Sequence, residues 1–295
     1  MKQLRDRVAV VTGGASGIGL GMATAFAAEG MKLVLADIEQ EPLDKAVSDL
    51  AANGASAIGV PTDVSKPAAL DELRDRTLTE YGAAHVLCNN AGVGGAAGAP
   101  LWALPDEEWD WVMGVNLMGV VHGIRSFVPI LLEQDEGHVV NTASMAGLMP
   151  GGGIYGVTKH ACRAISEALW SNLQMRGPHV GVSVLCPGWV ATNIASSERN
   201  RPEMPGPRPE IPPEAEAMRH AVEGLIDSGM DPAEVGRIVA AAIKEKRFYV
   251  LPHRWESMVE TFLGNIIEGR DPVGEPPPGA AEALAALLPQ TGERS

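Results

Sequence analysis

The chain has 295 residues, 45% of them apolar, and its 37 acidic against 23 basic side chains leave a net charge of −14. A charged fraction of 20% with ample Val, Leu and Ile excludes wholesale disorder. An acid excess without Lys/Arg clusters argues against a nucleic-acid partner and, more weakly, against an acidic protein partner.

The length lies near the ceiling for one hydrophobic core, so one α/β domain with additions and two small domains both stay open. The charge-free run from Val8 to Ala28, with Lys2, Arg5 and Arg7 upstream, imitates a signal peptide or a membrane span. Gly13, Gly14, Gly17, Gly19 and Gly21, with Thr12 and Ser16, split it into a short strand and a later helix. No other stretch competes with it, so a soluble chain with no membrane partner is expected. Strand-like, β-branched runs fall at Arg7–Thr12, Lys32–Asp37, Ser56–Pro61, Ala84–Asn89, His138–Ala143 and His179–Cys186. Helical patterns between them cover Glu41–Asn53, Pro67–Tyr81, Asp106–Glu133 and Ile154–Arg176. A seventh strand, Phe248–Leu251, follows a helix opening at Pro232, where Asp231 suits the N-cap and proline the first helical position. Strict alternation implies right-handed βαβ crossovers. The expectation is a single doubly wound α/β fold, a parallel sheet of seven strands with helices on both faces.

Two segments break the alternation. Residues 193 to about 230 carry six prolines between Pro202 and Pro213, and the tail from Asp271 holds Pro272, Pro276, Pro277 and Pro278 before an Ala/Leu patch, Ala280–Leu288. Loops this long are usually lids or linkers. Cys88, Cys162 and Cys186 each lie in an apolar run and read as core thiols, which suits a reducing cytoplasm. The seven histidines show no i, i+4 pair and no Cys/His cluster, so they read as structural and no metal site is expected.

The first chemical motif is Thr12-Gly13-Gly14-Ala15-Ser16-Gly17-Ile18-Gly19, which leaves a strand and opens a helix. Glycines let backbone approach a pyrophosphate, which the free N–H groups and dipole of a helix N-terminus favour. Alone, such a turn is a weak sign. The next strand, however, ends at Asp37, eighteen residues after Gly19, where a carboxylate can hold both ribose hydroxyls. An acid there repels a 2′-phosphate, and neither Ser16 nor Ile38 offers a cation, so NAD is expected over NADP. Tyr155 and Lys159, four apart on a helix, share a face. A free phenol titrates near ~10 and is a poor base at neutral pH, but a close ammonium favours its phenolate. Each tenfold gain in phenolate needs about 1.36 kcal/mol of such preference. A tyrosine so placed can take an alcohol proton while hydride leaves for a nicotinamide. By spacing alone, a solvated Tyr/Lys pair is the default.

Eight motifs in register resemble the short-chain dehydrogenase/reductase family, over roughly residues 5–255. They are the glycine turn, Asp63-Val64, Asn89-Asn90-Ala91-Gly92, Asn116, Ser144, Tyr155-x-x-x-Lys159, Pro187-Gly188 and Thr192. The resemblance implies a Rossmann-type sheet and places Gly13, Ser16, Gly17, Ile18, Gly19, Asp37 and Ile38 around the dinucleotide. It gives Asp63 and Val64 to the adenine, Asn90, Ala91 and Gly92 to its ribose, and Pro187, Gly188, Val190 and Thr192 to the carboxamide. Ser144 would bond the substrate oxygen, and Asn116 would link Lys159 through water to a proton path. Tyr155 and Lys159 would serve both cofactor and catalysis. The plain alternatives are a turn aspartate at Asp63 and a locally satisfied helix asparagine at Asn116. Ser144 stands eleven residues before Tyr155, shorter than the usual family interval, which implies a deletion within Leu148–Gly153. The helices Asp106–Glu133 and Ile154–Arg176 resemble the pair through which relatives form dimers and tetramers.

Val93, Met145, Leu148, Met149 and Trp189, with Met204 and Met218 available from the long segment, suit a bulky apolar or aromatic secondary alcohol or ketone. Core packing is the expected role of Met218. The stretch 193–202 is weakly similar to bacterial enzymes that oxidise benzylic alcohols of lignin-type aryl ethers. A 3-oxoacyl-carrier-protein reductase shares the motifs, but would want a basic dock and usually NADPH. A catalytically silent cofactor-sensing protein is opposed by the intact Asn116, Ser144, Tyr155 and Lys159. The surplus length is therefore read as a lid, about 193–230, within a catalytic domain over 1–270, followed by a Pro-rich tail over 271–295.

Overall fold

Seven short strands lie side by side: β1 (Val8–Thr12), β2 (Lys32–Asp37), β3 (Ala57–Pro61), β4 (Val86–Asn89), β5 (Gly137–Thr142), β6 (Val180–Leu185) and β7 (Tyr249–Val250). All pair in parallel, in the order β3-β2-β1-β4-β5-β6-β7. This computed structural model describes residues 1–96, 98–176, 179–203, 213–273 and 276–287. The helices are α1 (Gly17–Ala28), α2 (Gln40–Ala52), α3 (Pro67–Tyr81), α4 (Asp106–Glu133), α5 (Gly153–Arg176), α6 (Pro213–Asp227), α7 (Pro232–Glu245), α8 (Glu256–Ile267) and α9 (Ala280–Leu287).

Both sheet faces are covered, so the strands read as continuous apolar runs. Ala9, Val11, Leu33 and Leu35 pack on one face with Met22 and Phe26 of α1 and Val239 and Ile243 of α7. Val8, Val10, Val34 and Ala36 face the other way, onto Leu70 and Leu73 of α3, Phe127 and Leu131 of α4 and Leu173 of α5. Each such Leu or Phe contributes about 2–3 kcal/mol of burial. All three thiols are buried, and burial raises them, Cys186 to about 12. His138 is also in the core. Burial holds it down at about 3, and its Nε2 bonds the Ser183 hydroxyl at 2.8 Å.

The sequence expectation holds for seven parallel strands and for the helix opening at Pro232, where the Asp231 side chain accepts from Ala233 N–H. Three helices, α6, α8 and α9, lie where no helix is expected from periodicity. One further correction concerns α4. It is long and apolar enough to cross a membrane, a distinction the sequence reserves for residues 8–28, and half of its most apolar window is buried in the protein.

Helices α1 and α7 meet backbone to backbone. A Cβ at Gly236 would lie 2.1 Å from the Gly21 carbonyl oxygen, and one at Gly21 would lie 2.1 Å from that of Pro232. Neither neighbour is a flexible side chain, so the helices must separate to admit a methyl group. Gly236→Ala is expected to lower the unfolding free energy by about 1–3 kcal/mol in urea titrations. Gly224→Ala, where a Cβ meets nothing within 4 Å, is the control that should show no such loss.

Candidate active site

The sheet order reverses between β1 and β4, so crossovers leave in opposite directions and open a crevice at the carboxyl ends of the strands. The cleft there has a volume of about 1560 Å³. Its wall contains Gly13, Ser16, Gly17, Ile18, Asp37, Ile38, Asp63, Val64, Asn90, Ala91 and Gly92 from the first half of the chain. From the second half it contains Ser144, Tyr155, Lys159, Pro187, Gly188, Val190 and Thr192. Two sequence candidates stand behind that wall, Gly19 and Asn116.

The glycine turn explains the first of these. Gly13 and Gly17 have φ of +62° and +51°, the left-handed region that suits glycine. Gly19 instead makes room within the turn, since a Cβ there would lie 2.0 Å from the Gly13 carbonyl oxygen. Asp37 binds the same turn: its carboxylate accepts from Ala15 N–H at 3.0 Å and from Glu39 N–H at 3.1 Å. Asp63 accepts from both the N–H and the hydroxyl of Ser65, closing the turn that follows β3.

Asn116 is buried in a π turn, Gly114–Met118, that interrupts α4. Its Oδ1 accepts from Val93 N–H at 2.8 Å, while Nδ2 donates to Val93 O at 2.9 Å and to the Thr158 hydroxyl at 3.1 Å. The side chain is thus engaged with the Val93 loop and α5. Lys159 is 3% exposed; its Nζ donates to Thr142 O at 3.0 Å and lies 5.4 Å from the Tyr155 ring centroid. Among the described residues no carboxylate pairs with it. Ser144 Oγ donates to Pro187 O at a long 3.4 Å and accepts from Ala146 N–H at 3.1 Å. The short interval from Ser144 to Tyr155 closes through Gly151, Gly152 and Gly153, with φ of +91°, +76° and +56°.

Residues 193–203 cross the cleft as a strap. Arg199 Nε donates to Glu39 at 3.0 Å and Nη2 at 2.6 Å, with Asn200 Nδ2 on the same carboxylate at 3.1 Å. That guanidinium holds the Glu39 carboxyl below its usual range. Arg201 donates twice to Glu108, at 3.0 and 2.8 Å, and the other oxygen of Glu108 accepts from Ala96 N–H at 2.7 Å. Glu108 is fully buried. Sequence inspection passes over this pair, because the partners are far apart in the chain.

The apolar wall is partly as expected: Val93, Met145, Met149 and Trp189 line it. Leu148 does not; it packs in a core cluster with Met145 and Met149. Met218 reverses its expected core role, since it is 38% exposed and lines the cleft from α6. Met204 lies outside the described residues. The tail reaches this end too, where Pro277 lines the wall and Pro278 O accepts from the Trp189 indole N–H at 3.0 Å. Among the described residues no cluster of His, Cys, Asp and Glu could hold a metal ion.

Known proteins agree with this architecture. The family model described as short chain dehydrogenase matches residues 7–203. The chain is similar to 1-deoxy-11-beta-hydroxypentalenate dehydrogenase of Streptomyces avermitilis, 44% identical over 64% of this chain and 70% of that one. It is 31% identical to a C alpha-dehydrogenase of a Sphingobium species, over 98% of this chain and 94% of that one. The crystal structure of a short chain dehydrogenase/reductase from Burkholderia phymatum in complex with NAD superposes with a TM-score of 0.89 at 42% identity, covering 94% of this chain and 99% of the other. With its seven parallel strands and the matched model, the chain belongs to the short-chain dehydrogenase/reductase family of nicotinamide-dependent oxidoreductases.

Proposed function

We propose that the protein interconverts a bulky apolar or aromatic secondary alcohol and its ketone, with NAD as the hydride partner. The observation that carries this reading is one cleft walled by the glycine turn, Asp37, Ser144, Tyr155 and Lys159 together. The residues fit a dinucleotide. Ser16 makes no side-chain cap bond and the first turn of α1 has no acid, so its N–H groups are free to receive a pyrophosphate. The buried Lys159 ammonium has three donors and bonds one carbonyl, which leaves donors for ribose hydroxyls.

Asp37 supports NAD: its oxygens keep lone pairs for ribose hydroxyls and repel a 2′-phosphate. Arg199 brings a cation to this end, but Glu39 already neutralises it. When bound, the nicotinamide supplies the site for hydride. Ser144 is then the donor to the substrate oxygen, and its long bond to Pro187 O is cheaply exchanged. In the oxidising direction Tyr155 takes the hydroxyl proton, and the Lys159 ammonium stabilises the charge on its oxygen. Asn116, with its side chain engaged, would join a proton path through its backbone carbonyl, in a π turn of the kind that recurs at functional sites.

One catalytic domain over residues 1–270 carries this chemistry, with about 193–230 as the substrate lid and the tail beyond as a Pro-rich addition that meets it. Met118, Val157 and Trp170, exposed on α4 and α5, support a homodimer or homotetramer built on those helices, which light scattering reads directly.

Tyr155→Phe is expected to abolish nicotinamide absorbance change across a panel of steroid, terpenoid, aryl and short aliphatic alcohols while cofactor binding persists. The unaltered enzyme should favour the bulky members; superior turnover of short aliphatic alcohols overturns the substrate class. kcat/KM should be higher with NAD than with NADP, and equality would refute the role given to Asp37. Arg201→Met leaves Glu108 buried without its cation and should cost about 3–5 kcal/mol in chemical unfolding. Glu39→Gln touches only a half-exposed pair, worth about 0–1 kcal/mol.

A further inference from the structure

His253, in the loop after β7, bonds two consecutive peptide units of the cleft wall. Its Nδ1 accepts from Gly188 N–H at 3.0 Å, and its Nε2 lies 2.9 Å from Trp189 O. A carbonyl can only accept, so Nε2 carries the proton and Nδ1 is bare. Only this neutral tautomer makes both bonds. On its other face the ring meets the Trp255 indole, 5.6 Å between centroids, and Trp255 in turn packs edge-on against Trp189. There is no slack here: a Cβ on Gly188 would lie 2.7 Å from the Trp255 ring and 3.0 Å from His253 Cγ. The preceding carbonyl, that of Pro187, accepts from Met145 N–H at 2.9 Å and from the Ser144 hydroxyl. The segment is therefore pinned from the Ser144 side at Pro187 and from the opposite side at Gly188 and Trp189.

We propose that His253 is a positioning residue: its neutral ring fixes Pro187–Trp189 so that this segment can hold the nicotinamide end of the cofactor beside Ser144 and Tyr155. This rests on the reading of Pro187–Thr192 as the carboxamide contact. Protonation would place a hydrogen on Nδ1 facing the Gly188 N–H, turning an acceptor into a second donor and forcing the two apart. The ring is half-buried between apolar and backbone groups. Its charged chain neighbours, Arg254 and Glu256, pair with each other at the surface. Gly188, Trp189 and Trp255, the groups packed against it, carry no titratable side chain. Burial holds the imidazole below the usual histidine range, while its bond to Trp189 O pulls the other way. The neutral form therefore persists at neutral pH and is lost on acidification.

Calorimetric titration with NAD and with ADP-ribose tests this, because ADP-ribose lacks the nicotinamide. In the unaltered protein NAD should bind more tightly than ADP-ribose at pH 8, and that advantage should shrink about tenfold as pH falls through the His253 titration. ADP-ribose affinity should show no such change. His253→Phe, which keeps a ring against Trp255 but neither bond, should lack the advantage at every pH. His253→Asn, whose Oδ1 replaces Nδ1 as acceptor to Gly188, should keep most of it and lose its pH dependence. The kcat/KM profile should follow: its acid limb should be shallower in His253→Asn, where the Tyr155 base alone sets it, than in the unaltered enzyme. An NAD advantage indifferent to both pH and His253→Phe overturns the proposal. NAD and ADP-ribose binding alike at pH 8 in the unaltered protein instead overturns the carboxamide reading on which it rests.

Discussion

One hydroxyl sets the geometry of the cleft. Thr12, the last residue of β1, accepts from the N–H groups of Asn90 and Ala91 at 2.9 and 3.1 Å and donates to Cys88 O at 3.3 Å. It thereby bridges β1 and β4, the two strands between which the sheet order reverses and the crevice opens. Asn90 returns the contact, its Nδ2 donating to Thr12 O at 3.0 Å and Gly13 O at 3.3 Å. Its Oδ1 accepts from Thr142 at 3.2 Å, and Thr142 O holds Lys159. A continuous chain of bonds thus runs from the glycine turn to the buried ammonium. Each bond contributes only about 0.5–1.5 kcal/mol net, but a partner left unmade in this setting costs about 1–3 kcal/mol. The network is therefore all or nothing, which is what a site of fixed width requires.

Around that frame the chain accepts local strain where the site gains from it. The loop from Ser144 to Tyr155 is short, and three successive glycines of positive φ turn it tightly into α5. Any L side chain there would be strained by roughly 1–2 kcal/mol. The π turn at Gly114–Met118 is the second irregularity, and the Asn116 side chain it carries ties the Val93 loop to Thr158 of α5. Thr158 in turn donates to Tyr155 O at 2.7 Å. The backbone of Tyr155 is thus tied through Thr158 to Asn116 and the Val93 loop.

These dependencies explain what the sequence could and could not disclose. The strands were legible because a parallel sheet covered on both faces demands unbroken apolar runs, and the glycine turn because its left-handed φ strongly favours glycine. The difference between Gly17, which lines the cleft, and Gly19, which only makes room for the Gly13 carbonyl, depends on a contact across the turn that spacing does not encode. Helix α6 was hidden by the prolines that precede it, and Met218 was misplaced with it. Leu148 failed for the opposite reason, since its proximity to Ser144 in the chain says nothing of the face it presents. His253 carries no motif at all. Its significance comes from two backbone atoms 64 and 65 residues away, and only the folded chain brings them to its ring.

Burial grades the two ion pairs that hold residues 193–203 to the walls of the cleft. Arg199, Asn200 and Arg201 are consecutive, yet they reach opposite walls: the first two hold Glu39 beyond β2, and the third holds Glu108 in α4. The two anchors are unequal. Glu39 and Arg199 are 27% and 38% exposed, so solvent and salt screen them and their net worth is about 0–1 kcal/mol. Glu108 is 1% and Arg201 13% exposed, so parting them would strand a charge away from water, at about 3–5 kcal/mol. The Glu39 carboxyl is lowered in the folded state, so its contribution is present above the ordinary glutamate range and fades as pH falls through the lowered value. The anchor on Glu39, two residues beyond Asp37, is therefore the weaker of the two, and the buried anchor on Glu108 of α4 the stronger.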